Sequence, residues 1–402
     1  MKRLILPALA ILALVSCGKG PATPDTPGCL AGTVLDTLNG LPLSGAKVVA
    51  GSTDSTATDA EGRFLLSLTQ GRYTVQVSKD GYYGVAANVP VLSRDTIRVT
   101  IHTRLRAWLP GTAMDPGEER HNFASVLRGG LLYAIGGRQT SGASFTHLST
   151  SVSFSPASGS WGSGTVASLS PGREQASCVA VGDTLFIFGG LSGSSVLASV
   201  EKHFASWIPA ATPMPAGARG MAAFAVGDSI FVFGGFTGGD TATSLVRVYK
   251  PSADTAGGTP WKTASPMPAP LGGMSCASIG GTIYFFGGGN HGIASPQVFS
   301  YNPAGDAWTS RANMPAERAY AACAAVGNDI YVFGGLAGTT VCNSTYRYNP
   351  AANTWTVMEP MPLARYGAGA VAHNNRIHVF GGFDGTNSLG VNEIYNPAAD
   401  VK

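Results

Sequence analysis

Four arginines recur at one spacing: Arg120, Arg173, Arg318 and Arg365 each stand 16 residues before a Gly-Gly pair. A guanidinium is a planar fork of donors that matches a carboxylate two-pronged, so four of them at one mouth would make a receptor for an acidic group. Arg219 is one residue out of this register, and a further copy carries Leu271-Gly272 instead. Beside these positions stand Glu119, His121, Glu174, Glu317, Tyr320 and Tyr366, residues able to hydrogen-bond, stack or pass a proton. The ligand-binding residues expected from this pattern are Arg120, Arg173, Arg318, Arg365, His121, Tyr320 and Tyr366. No catalytic set is discernible.

Other residue types argue chemistry away. Cys178, Cys276 and Cys323 each precede their Gly-Gly by 11 residues, and the same slot holds Ser125, Ala223 and Ala370, so the slot asks for a small side chain and its thiols should be free. Cys29 and Cys342 are isolated, no C-x-x-C occurs, and the seven His are scattered; neither zinc nor another metal site is expected. The Gly-rich loops open no helix, so a phosphate cradle has no support, and no cofactor is expected.

The elements that must position the arginines repeat with them. Gly136, Gly189, Gly234, Gly287, Gly334 and Gly381 each begin a Gly-Gly after an apolar run such as LFIF, IYVF or IHVF. All six Trp (Trp108, Trp161, Trp207, Trp261, Trp308, Trp355) keep the same register, 46 to 54 residues apart. Strand, Gly-Gly, Tyr-Asn-Pro turn and Trp at a period near 50 residues resemble the kelch repeat, one four-stranded propeller blade per copy. The resemblance implies an all-β, six-bladed propeller over 104–402. Its last copy ends at NPAADVK, with Lys402 where Trp308 and Trp355 stand in earlier copies. A strand starting at Trp108 is expected to close the ring and cover the exposed edges. Strand direction puts the arginines and the loops after Gly-Gly at one end, the expected binding end, and tight turns at the other.

Ahead of the propeller, residues 29–103 show short alternating strands with turn clusters every 8 to 12 residues. The markers Gly62, Phe64, Gly71, Tyr73, Gly81 and Tyr82 resemble a carboxypeptidase regulatory-like domain, which implies a seven-stranded β-sandwich. Its Thr58-Asp59-x-x-Gly62-x-Phe64 element reads as a turn followed by an inward aromatic.

Lys2 and Arg3 precede the apolar run LILPALAILALV, too short to span a bilayer and of secretory type. Leu14 to Cys17 resembles a bacterial lipobox, which implies a signal peptide over 1–16 and acylation of Cys17. Residues 17–28, Pro-rich, would then be a flexible tether. This implies a lipid-anchored place in the bacterial cell envelope, periplasmic or surface-facing, with the outer membrane favoured because Gly18 follows the Cys. A charged fraction of 12% and a net charge of +3 give no basis for nucleic-acid binding. The expected function is an extracytoplasmic binding protein whose partner is a protein or a glycan, acidic if the arginines meet it. A sialate mutarotase-like isomerase and a structural envelope component are the alternatives.

Overall fold

The computed structural model describes residues 27–92, 95–163, 167–204, 206–210 and 212–400. The expected signal segment, Cys17 and the expected tether up to Thr26 lie outside the described residues. The chain divides into two compact units, one reaching to Ala107 and one from Trp108 to Pro397.

In the first unit, period-two alternation builds a sandwich. Arg63–Leu68 buries Phe64, Leu66 and Leu68 and turns Leu65 to solvent. It flanks Gly28–Asp36, which also pairs in parallel with Thr96–Thr103. The second sheet has the order Asp54–Ala57, Lys47–Ala50, Gly71–Ser78, Val85–Val91. Leu30, Val34, Val48, Val75, Val77, Ile97, Val99 and Ile101 fill the space between. The Thr58 hydroxyl donates to Leu43 O and accepts from Ala46 N, while the Asp59 carboxylate accepts from the backbone N–H of Glu61 (3.0 Å) and Arg63 (2.7 Å). The Thr-Asp element therefore fastens a turn.

Among the described residues the second unit holds six four-stranded antiparallel sheets. Their innermost strands are Ala124–Arg128, Ser177–Val181, Ala222–Val226, Ser275–Ile279, Ala322–Val326 and Gly369–His373. Each inner strand neighbours the next, and Gly369–His373 returns to Ala124–Arg128, so the sheets form a ring. We number the sheets by these strands. The sixth takes three strands from the end of the unit and its outer strand, Trp108–Pro110, from the beginning, with Trp108 opposite Tyr395. The expected N-terminal closure is thus present, and it removes a free sheet edge.

The repeat residues explain themselves at the seams. Trp108 donates its indole N–H to Glu359 O, Trp161 to Thr112 O, Trp308 to Ser265 O and Trp355 to Ala312 O, all between 2.7 and 3.0 Å. Each ties its sheet to backbone belonging to the sheet before it. The Gly-Gly pairs do the same at the other end. The second Gly donates its N–H to a carbonyl at the start of the next sheet: Gly137 to Arg173, Gly190 to Ala218, Gly235 to Leu271, Gly288 to Arg318, Gly335 to Arg365 and Gly382 to Arg120, at 2.8 or 2.9 Å. A Cβ on the first Gly would run into that same carbonyl. Only Gly admits so close an approach.

Candidate functional site

The loop end is organised by a second circuit of backbone bonds. Gln175 N donates to Asn122 O, Gly220 N to Gln175 O, Gly273 N to Gly220 O, Tyr320 N to Gly273 O, Gly367 N to Tyr320 O and Asn122 N to Gly367 O, all 2.7 to 2.9 Å. This belt runs once round the axis. Every member has a left-handed φ, from +52° at Asn122 to +65° at Gly273. Three members are not glycine, and a left-handed Tyr320 is held there at a cost of about 1–3 kcal/mol. Such strain persists where the surroundings over-determine it, here through two belt bonds per residue. A pocket of ≈ 110 Å³ on the axis is lined by all six belt residues. Beyond it lies the bore.

The four in-register arginines are inside the sheets, not at the mouth. Arg120, Arg173 and Arg365 are at most 1% exposed and Arg318 is 6% exposed. Arg120 donates to Gly136 O (3.2 Å) and Thr150 O (3.0 Å) and pairs with Glu118. Arg173 reaches Ser199 Oγ (2.8 Å) and Glu201, Arg318 reaches Ser344 Oγ (2.8 Å) and the Tyr346 hydroxyl (3.0 Å), and Arg365 pairs with Glu393. In three sheets the partner stands 28 residues further on, on the third strand. Burial pulls the Arg120 and Arg365 guanidiniums below their usual range, against the opposing pull of Glu118 and Glu393. The expected arginine rim is therefore replaced by an internal layer of ties, because the strand start points these side chains into the sheet.

The next residue along each chain points to the mouth. His121 bridges Arg138, Glu174 bridges Leu191, Arg219 bridges Phe236, Gly272 bridges Gly289, Ala319 bridges Leu336 and Tyr366 bridges Phe383. Chemistry is unevenly spread round this ring: the fourth and fifth sheets offer only Gly, Ala and Leu. Opposite them, Glu174 is buried and accepts from Asn122 Nδ2 (3.0 Å), with His147 Nε2 at 3.2 Å and Arg138 Nη1 at 3.6 Å from its other oxygen. Arg219 donates to Gln175 Oε1 (2.6 Å) and Gly239 O (2.6 Å), lies 3.3 Å from Asp240 and covers the Phe236 ring. Burial raises the Tyr320 and Tyr366 phenols, with Arg219 holding Tyr320 partly down and Arg138 acting likewise on Tyr366.

His121 is spent on a seam. Its Nδ1 shares a hydrogen bond with Ser388 Oγ (2.8 Å), its ring lies 4.7 Å from Phe383, and burial with Arg138 nearby pushes its pKa down to about 4. Ser388 N donates to Thr140 O (2.9 Å) and Thr140 N to Ser388 Oγ (2.8 Å), which straps the hairpin Arg138–Ser141/Ser144–His147 of the first sheet onto the sixth. Of the expected ligand residues, Tyr320, Tyr366 and His121 meet at one pocket of ≈ 220 Å³, with Asn122, Arg138, Thr140, Glu174, Gln175, Leu336 and Phe383. Arg138 and Thr140 were not anticipated. The signal was present in the position after Gly-Gly, where Arg138 answers Leu191, Phe236, Gly289, Leu336 and Phe383.

The bore beyond the belt, ≈ 480 Å³, is lined by Ser125, Cys178, Ala223, Cys276, Cys323 and Ala370 among others, the six members of the small-residue slot. The three thiols are free. Burial pushes Cys178 and Cys276 up to about 12 and Cys323 in the same direction. Among the described residues no group of three His, Cys, Asp or Glu is placed to hold a metal ion, and no helix is long and apolar enough to cross a membrane.

Comparison with known proteins agrees with this architecture. Residues 192–382 match the KLHDC2/KLHL20/DRC7 Kelch-repeats domain and residues 364–401 the Kelch motif, while residues 30–104 match the Carboxypeptidase regulatory-like domain. Kelch-like protein 35 of Mus musculus is 26% identical over 210 residues, 51% of this chain and 33% of its own length; the chain thus spans about a third of that relative. The solved structure of YjhT superposes with a TM-score of 0.60 at 15% identity, covering 69% of this chain and 94% of that one, a likeness of fold. The chain therefore carries a kelch-repeat propeller preceded by a carboxypeptidase regulatory-like β-sandwich domain.

Proposed function

We propose that this chain is a binding module that holds a partner, protein or glycan, on the loop end of its propeller, outside the cytoplasm and anchored through an acylated Cys17. The observation that carries the reading is the lopsided mouth. Polar and aromatic side chains of the first, second and sixth sheets, with Tyr320 of the fifth, converge around a shallow pocket, with Arg219 of the third at the same mouth, on a floor fixed by the backbone belt, and loops on a rigid scaffold are where recognition concentrates. The anchor reading rests on the Leu14-Val15-Ser16-Cys17 sequence; two or more acyl chains hold a protein on a bilayer stably.

A sugar isomerase is the second reading, favoured by the Glu174 carboxylate beside Arg138 and His147. Against it, three side chains already engage that carboxylate, which leaves it poorly placed to take a substrate proton.

The test is capture from envelope extract and on a glycan array by the full-length protein in mild detergent. Arg219→Ala at the loop end should lower capture, and Leu127→Lys at the turn end should not. Loss of capture with Leu127→Lys alone would overturn the placement. Cys17→Ala should move the protein out of the membrane fraction; continued membrane association would refute the anchor.

A further inference from the structure

We propose that the rim pocket between the first, second, fifth and sixth sheets recognises an uncharged, hydroxyl-bearing ring, a single neutral sugar unit, in preference to an acidic one. The inference rests on the loop-end reading above and narrows it to one site and one ligand chemistry.

Three polar atoms of residues lining this pocket are buried without a partner among the described residues: Asn122 Oδ1, Arg138 Nε and Thr140 Oγ1. Thr140 itself is only 9% exposed. Unpaired buried groups are uncommon, each costing about 1–3 kcal/mol, and three in one small pocket point to a ligand that supplies the missing bonds. Their types define it. Asn122 Oδ1 can only accept, Arg138 Nε can only donate, and Thr140 Oγ1 can do either. A hydroxyl donates and accepts, so neighbouring hydroxyls on one ring suit all three. A carboxylate has no proton for Asn122 Oδ1.

Charge points the same way. The pocket's ionised pair, Arg138 and Glu174 at 3.6 Å, sums to zero, and Arg138 is further engaged over the Phe145 ring at 3.8 Å. An incoming anion would meet the Glu174 carboxylate as well as the guanidinium. Within the remaining wall, Tyr366, Phe383 and the neutral imidazole of His121 offer the apolar ring faces on which the C–H face of a sugar packs. A volume of ≈ 220 Å³ is below the roughly 300–1,000 Å³ of drug-sized sites, so it takes one ring, with the rest of a glycan lying outside.

The experiment is titration of the full-length protein, followed by ligand-observed NMR and calorimetry, with methyl glycosides of glucose, galactose and mannose against the corresponding uronates. At least one neutral glycoside should bind, its uronate about tenfold more weakly, and Thr140→Val should weaken the neutral sugar about fivefold at unchanged melting temperature. Asn122→Gly, which keeps the left-handed backbone but also removes a donor to Glu174, should weaken the neutral sugar at least as much. Uronate binding equal to or tighter than its neutral counterpart overturns the proposal, as does unaltered affinity in Thr140→Val and Asn122→Gly together. If no sugar of either kind binds while a protein is captured in an Arg219-dependent way, the neutral-ring proposal fails and the loop-end reading stands; if capture too is independent of the loop end, both fail.

Discussion

Arg173 and Arg219 stand in successive copies of the repeat, one register position apart, and behave as opposites. Arg173 is buried and bound to Glu201 and Ser199 within its own sheet, whereas Arg219, one step further along, lies on the mouth between Gln175 and Asp240. In the third sheet the inner position is given to Ala218, which is fully buried. A single-residue shift on an extended strand reverses the direction of a side chain. Residue type and period locate an arginine within the fold; only the parity of its position decides whether it braces its own sheet from within or faces the mouth.

The sharpest way to break that comparison is to remove one arginine of each kind. Arg173→Ala leaves the Glu201 carboxylate buried without its counter-charge, and stripping one partner from a buried pair costs about 3–5 kcal/mol. Arg365→Ala, which strands Glu393, should fall in the same range. Denaturant midpoints of the propeller transition measure this. An arginine rim would have predicted the opposite, weakened ligand binding at little cost in stability, and near-wild-type melting of both variants would restore that view.

The ring, the sandwich, the Gly-Gly seams and the closure at Trp108 could be read from the sequence because they depend on residues that have no substitute. A Gly-Gly marks a place where the neighbouring carbonyl excludes a Cβ, and the lone unmatched Trp108 signals a strand in need of a sheet. The arginine layer was misplaced because sequence adjacency carries no direction, although the Glu201 and Glu393 partners, 28 residues on, were a visible clue. The pocket was half legible. Tyr320, Tyr366 and His121 do reach it, but Arg138 and Thr140 come from a hairpin strapped across to the sixth sheet by Ser388, a contact between residues nearly the whole unit apart.

Next in size is a pH effect at that strap. His121 has its folded pKa pushed down to about 4, chiefly by burial, below the ordinary value near 6.5. Between those limits the unfolded chain binds the extra proton and the folded chain does not, so stability is retained above about pH 6.5 and drains as pH falls toward 4, by at most about 3 kcal/mol. Burial shifts His203 and His378 the same way, so the informative quantity is the difference between wild type and His121→Gln. The variant's melting temperature should fall less steeply over this range. Parallel slopes would mean that His121 takes up its proton in the folded state without cost.

Arg219→Ala supplies the contrasting arm. Its carboxylate partner Asp240 is largely exposed, so losing the guanidinium strands no buried charge, and the melting temperature should fall far less than in Arg173→Ala while capture at the loop end falls. A stability loss matching that of Arg173→Ala would erase the distinction between the two layers.

The smallest effect is expected in the bore. Cys178, Cys276 and Cys323 occupy a slot that elsewhere accepts Ser125, Ala223 and Ala370, so the triple change to Ala removes one sulfur per seam and creates little space, less than the 2–5 kcal/mol seen when a large aliphatic side chain is truncated to Ala. The thiols should also be chemically silent. With Cys178 and Cys276 held near pKa 12 and Cys323 raised as well, almost no thiolate exists at pH 8, and thiolate is the reactive form. A disulfide-exchange reagent added to the native protein should therefore leave these three unmodified and react with them only after denaturation, as read by mass spectrometry of peptides. Rapid native labelling would show that these partly buried thiols ionise more readily than their surroundings imply, and would weaken the contrast between an inert channel and a reactive mouth.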